Sequence, residues 1–144
     1  MLSYLLNFTI NCLSVYFMYL ITDHGLKKYN TRYSVFGKDT QEYIVSNITK
    51  SIVLFWLCSY YTSIIFSIIR NINSNDNQDT KLINNIALLY ASTDFVNLFI
   101  VKKNKLSTIL HHVFVNLLSF YSIYGEQFKQ GSSWYLVVLY GIFS

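Results

Sequence analysis

The chain has 144 residues, 53% hydrophobic and 18% aromatic, with only 12% charged and a formal net charge of +4. A soluble domain carries about 25% charge, so the composition excludes an ordinary soluble core and points to a membrane protein. The basic residues sit between apolar runs, which argues against nucleic-acid binding and for a role in orienting the chain.

Five apolar segments follow one another. The first, Leu2–Ile21, is long enough to cross a bilayer, which takes about 20 helical residues. It lacks a basic leading region, and Thr22-Asp23-His24 makes a poor cleavage site, so a removed signal peptide is not expected. Asn7, Asn11 and Ser14 form a polar stripe along it, read as glue between helices. A basic loop is predicted over 22–50, with His24 in it. The second segment, Ser51–Ile69, carries Ser59, Ser63 and Ser67 at every fourth position, a small-residue packing face. The run NINSNDNQD, residues 71–79, reads as a polar loop. The third segment, Leu82–Val101, contains Asp94. A short turn with Lys102, Lys103 and Lys105 leads into the fourth, Leu106–Tyr124, which contains His111 and His112. The fifth begins near Trp134 and reaches Ser144; its 11 residues rise only ~16 Å as a helix. The predicted fold is therefore all-α, a polytopic transmembrane helix bundle with four full spans and a partial fifth. Residues 1–40 are expected to make the first transmembrane helix and basic loop, and 41–144 a partial domain of their own.

Cys12 and Cys58 lie inside apolar runs with neither metal spacing nor a disulfide framework, and read as small buried hydrophobes. Trp56, Trp134 and the tyrosines read as interface belts or core fillers. Eight of the eleven Lys and Arg residues fall in the 22–50 loop and the 102–105 turn. Arg70, Lys81 and Lys129 lie on the other side, so the first set is predicted to be cytoplasmic. Asn47-Ile48-Thr49 has the pattern of a glycosylation site, but that orientation keeps it from the glycosylation machinery.

Ionisable residues inside spans are costly and mark function by default. Asp94 lies ~12 Å from the basic turn, His111 ~9 Å and His112 ~10 Å, counting helical rise. The turn is short, so the third and fourth segments should form an antiparallel hairpin with carboxylate and imidazoles at one depth. On the third segment Tyr90, Asp94 and Asn97 share a face; on the fourth, Thr108, His112, Asn116 and Ser119 do. Facing each other, these stripes would line a cleft, with Tyr90, Asn97, Thr108 and Asn116 as substrate-binding positions. His111 points about 100° away, toward a neighbouring helix or the cleft's edge. An aspartate beside a histidine fixes its tautomer and raises its basicity, which suits a general base. The competing reading is a polar cluster that only ties two helices together. Three histidines in all cannot supply the clusters of di-iron lipid desaturases and hydroxylases, so no metal and no bound cofactor is expected.

Residues 88–124, LLYASTDFVNLFIVKKNKLSTILHHVFVNLLSFYSIY, resemble the core of the TLC family, named for TRAM, LAG and CLN proteins. The family pattern is an Asp in one span, a short basic turn, then His-His and an aromatic-rich apolar run. Asp94, Lys102-Lys103, His111-His112 and Phe120-Tyr121 stand where those features would be. Residues 43–52, YIVSNITKSI, also look like the start of the family's first domain helix, with Ser46 at its serine. The resemblance covers roughly residues 40–144. It implies a multi-pass protein of the endoplasmic reticulum or a related membrane, with lipids as partners. In ceramide synthases the His pair serves acyl transfer from acyl-CoA to a sphingoid base. By that resemblance His111, His112 and Asp94 would be catalytic, and acyl-CoA the co-substrate. Lys50 or a neighbour replaces the family's early histidine, and the chain ends before the paired acidic residues that the synthases carry in a later span, so it looks like part of a larger domain. Two further readings stay open: a non-catalytic membrane protein of lipid sensing or trafficking, and a small homo-oligomeric channel of viral type.

Overall fold

A computed structural model describes residues 2–70, 77–102 and 104–124, with side chains described outside 60–84 and 122–124. The described residues are all-helical: α1 (Leu2–Tyr29), a 3₁₀ turn (Tyr33–Val35), α2 (Lys38–Arg70), α3 (Asn77–Ile100) and α4 (Leu106–Tyr124). The fifth apolar segment, Trp134, Lys103, Lys129 and the inner faces of Ser63 and Ser67 lie outside the described residues. Among the described residues one helix, Leu2–Tyr29, is long and apolar enough to cross a membrane; Asn85–Ile100 and Leu106–Tyr121 are shorter apolar stretches.

The helices run longer than their apolar parts. α1 continues eight residues past Ile21, so His24 is helical and not in a loop. The Asp23 carboxylate and Lys27 ammonium meet at 2.6 Å one turn apart, and Lys27 and Lys28 in the last turn complement the helix dipole. α2 begins at Lys38, well before the predicted Ser51, and α3 at Asn77, which takes the end of the predicted 71–79 loop into the helix. With no proline in the chain, polar residues flanking an apolar run can extend its helix.

The corner between α1 and α2 is built around Tyr33, which is 2% exposed. The Asn30 side-chain oxygen accepts from the Arg32 and Tyr33 backbone N–H groups, a local turn. The Tyr33 hydroxyl donates to Asp23 Oδ1 at 2.8 Å. Gln41 Nε2 donates back to the Tyr33 and Phe36 carbonyls. Burial, then the Asp23 hydrogen bond and charge, push the Tyr33 phenol well above its ordinary pKa.

α3 is the central helix. Leu88, Ala91, Ser92 and Asp94 are completely covered, and α3 packs against α1, α2 and α4. Small residues at 91–93 let neighbours approach closely. Ser92 and Thr93 satisfy their hydroxyls on the carbonyls of Leu89 and Tyr90. Phe8 of α1 meets Leu88 and Ala91, whereas Val15 meets Val96, so α1 and α3 run the same way. Phe8 also stacks edge-on against Phe95 and Phe120. The buried face of α1 is Phe8, Cys12 and Val15, one residue round from the polar stripe; Asn7 and Ser14 are exposed and Asn11 half-buried, so that stripe does not face the described core. Ser59 and Cys58 are exposed as well, as is Trp56.

On α2 the buried positions are Glu42, Val45, Ser46, Thr49, Val53 and Leu57, one helical face. Lys50 meets Asp94 and Glu42 meets the Lys102 backbone, so α2 runs antiparallel to α3. The corner at 30–37 and the turn at 101–105 lie at the same end of the bundle.

Candidate functional site

The site grows from the α3–α4 hairpin. α3 ends at Ile100 and α4 begins at Leu106. Between them Asn104 Nδ2 donates to the Val101 carbonyl at 3.1 Å, and Glu42 Oε2 accepts from the Lys102 N–H at 3.4 Å. This turn sets Asp94 opposite His112 in antiparallel register, as the count of helical rise predicts.

Asp94 is 0% exposed and His112 4%. His112 Nδ1 lies 3.2 Å from Asp94 Oδ1, off the line that a hydrogen bond requires. On the other side of the ring, Asn97 Nδ2 lies 3.1 Å from Nε2. With the amide so turned, Nε2 accepts and the ring proton sits on Nδ1, toward the carboxylate. Asn116 Nδ2 donates to the His112 carbonyl one turn back, at 2.8 Å. Asp94, Asn97, His112 and Asn116 are therefore brought together. Thr108, one turn before His112, is half-buried. His111 is partly exposed, its ring centroid 5.6 Å from that of His112, so it forms the open edge of the group.

The residue that sequence reasoning missed is Lys50. Its ammonium lies 2.8 Å from Asp94 Oδ1 and 5.1 Å from the centre of the Tyr90 ring. Tyr90 thus meets the site through Lys50. Lys50 is not a loop charge. The early start of α2 places it more than three helical turns past the helix start, next to buried Ser46 and Thr49. A signal existed: Ser46, Thr49 and Lys50 fall three and four residues apart, as one polar face of a helix would. The count of orienting charges loses Lys50 but keeps its sign.

Asp94 and His112 are covered, with the Lys50 ammonium against the carboxylate and the partly exposed His111 at the edge, so these residues form a buried cluster and not the lining of an open cleft. Two shallow grooves lie elsewhere, one on α2 lined by Asn47, Ile48, Ser51, Ile52 and Phe55, the other on α1 around Leu20, His24 and Lys28. Inside the site several polar atoms have no hydrogen-bond partner among the described residues: Asp94 Oδ2, Asn97 Oδ1, Asn116 Oδ1 and the nearby Thr49 Oγ1. The histidine count argues against a multi-histidine metal cluster. The structure nevertheless gathers one ligand atom each from Asp94, His111 and His112 within 4.8 Å of one another.

Comparison with protein-family models, with curated proteins and with solved structures finds no match.

Proposed function

We propose that the chain is a multi-pass membrane protein of an internal membrane, TLC-like, that handles a lipid at the Asp94–His112 junction. The membrane reading rests on where polarity lies. Among the described residues nine buried side chains are polar or charged, beside eleven hydrophobic ones. Outside, Leu6, Leu13, Phe17, Phe55, Phe99, Phe114 and Leu117 stand more than half exposed. Water would penalise such a surface, whereas lipid solvates it. On this reading α2, α3 and α4 cross the bilayer with α1.

The functional reading rests on one observation, the carboxylate–imidazole pair held between α3 and α4. His112, with Asp94 beside Nδ1, would act as a general base through Nε2 once the Asn97 amide that now meets that nitrogen turns away. The reaction that fits is acyl transfer from acyl-CoA to a lipid amine. His112 would take a proton from the lipid ammonium, the freed amine would attack the thioester carbonyl, the C–S bond would break, and CoA would leave as the thiol on receiving that proton, with Asp94 orienting the ring. His111, at the open edge, is where a substrate would approach. On the charge-based orientation the pair would lie on the cytoplasmic half, the side from which acyl-CoA would arrive.

The complete burial of Asp94 favours a second reading, in which Lys50, Asp94 and His112 tie three helices together and any lipid is bound without being changed. Transfer of a labelled acyl chain from acyl-CoA to sphingoid bases and other lipid amines, in reconstituted vesicles, separates the two. The first reading expects transfer, lost roughly 10²–10⁴-fold in His112→Ala and largely in Asp94→Asn, as for general acid–base roles. A folded protein that transfers no acyl chain to any amine supports the second.

A further inference from the structure

We propose that Asp94, His111 and His112 form a mononuclear site for a divalent transition metal of the zinc type, loaded in exchange for the Lys50 ammonium. This goes beyond the lipid reading and does not rest on it.

The three donors lie near enough for side-chain rotation to bring them onto one ion. One donor atom from each residue falls within 4.8 Å of the others. Zinc–nitrogen and zinc–oxygen bonds of about 2.0–2.1 Å put tetrahedral ligands about 3.3–3.4 Å apart. His112 Nδ1 and Asp94 Oδ1 are 3.2 Å apart without being hydrogen-bonded. Two imidazoles and one carboxylate suit zinc, cobalt, nickel or iron(II) and not magnesium or calcium, which prefer all-oxygen shells. Three protein ligands leave a position open.

The second observation lies in the partnerless atoms. Among the described residues Asp94 Oδ2, His112 Nδ1 and Asn97 Oδ1 all lack a hydrogen-bond partner, and Asp94 and His112 are more than nine-tenths buried. One ion held by Nδ1 and by both carboxylate oxygens, Lys50 having left Oδ1, engages the first two. It leaves the proton on Nε2, where Asn97 Oδ1 accepts it after a half-turn of the amide. That is the hydrogen bond by which a metal-ligating histidine is usually oriented. One ion thus satisfies two buried atoms, and the amide rotation preserves the Asn97–His112 hydrogen bond.

Lys50 is the competitor. Its ammonium holds Asp94 Oδ1, and a like charge beside an ion weakens binding. The Lys50 side chain keeps 24% of its surface exposed, so its stem has a path outward. His111, partly open, gives the ion a path in. Ammonium and ion therefore exchange on one carboxylate.

The test uses the full chain in detergent, stripped with a chelator and titrated with zinc and, as a visible-absorbing probe, cobalt(II). The proposal expects one ion per chain and a tetrahedral cobalt spectrum. It expects affinity to fall at least tenfold in Asp94→Asn and in His112→Ala, and less in His111→Ala. Lys50→Met should bind at least tenfold more tightly and gain more thermal stability from zinc than the wild type does. That arm reads an increase, so it holds even where a ligand variant fails to fold. Binding of zinc no tighter than magnesium, unchanged affinity in Asp94→Asn, or unchanged affinity in Lys50→Met would each overturn the proposal.

Discussion

Lys50→Met is the most informative single change to the bundle. Methionine keeps the length and apolar stem of lysine and removes only the ammonium. Asp94, 0% exposed, then loses its 2.8 Å partner. What remains is an imidazole nitrogen at 3.2 Å, out of line for a hydrogen bond. Stranding one member of a buried ion pair costs about 3–5 kcal/mol. The full range applies to the carboxylate, which no solvent reaches. The reverse change, Asp94→Asn, strands an ammonium that is 24% exposed and can be hydrated, so it should cost less. At about 2–4 °C per kcal/mol for a chain of this size, Lys50→Met lowers the melting temperature by roughly 6–20 °C. The assay is thermal unfolding of the purified protein in one detergent, free of added metal. The double variant Lys50→Met/Asp94→Leu removes both charges and should recover most of the loss, because an apolar pair of similar volume replaces the ion pair. A Lys50→Met protein melting within about 1 °C of wild type, or a double variant no better than the single one, would refute the pairing.

Other outcomes follow from the same contacts. Tyr33→Phe removes a hydrogen bond to the Asp23 carboxylate and should cost about 1.5–3 kcal/mol by denaturant or thermal unfolding. The raised Tyr33 pKa means that folding favours the neutral phenol. Its contribution is complete below the unfolded tyrosine value of about 10 and fades as pH rises toward the higher folded value. A pH scan should therefore show wild type and Tyr33→Phe converging at strongly alkaline pH. Phe8→Ala empties the aromatic contact with Phe95 and Phe120 and should cost about 3–5 kcal/mol, whereas Phe17→Ala, on the exposed side, should cost far less. Epitope tags at Val35 and at Asn104 should both be digested in sealed microsomes; protection of either one contradicts the charge-based orientation.

The helical fold and the heart of the site were legible for different reasons. Asp94 and the histidines could be brought together because a short turn converts sequence distance into depth, and helical rise is constant. The helix ends were not legible, because hydropathy marks the apolar part of a helix and says nothing about polar turns added to it. That is why α1 was expected to stop near Ile21 although Asp23 and Lys27 carry it to Tyr29. Lys50 was hidden by the same effect. A lysine at the edge of an apolar run looks like a flanking charge until the helix is seen to start twelve residues earlier. The stripe of Asn7, Asn11 and Ser14 misled because it lies a single residue, about 100°, from the buried Phe8, Cys12 and Val15 face. Polar residues alone do not say which side of a lipid-facing helix is turned inward.

The claim beneath every other is that this bundle is solvated by lipid outside and by its own polar groups inside. Spin labels on single cysteines at Phe17, Phe55 and Phe114, in a chain whose Cys12 and Cys58 are replaced by serine or alanine, test it directly after reconstitution into vesicles. All three positions are exposed, at 63%, 76% and 61%. Relaxation dominated by lipid-soluble oxygen at all three is the predicted result. Relaxation dominated by a water-soluble nickel chelate at those positions would contradict it.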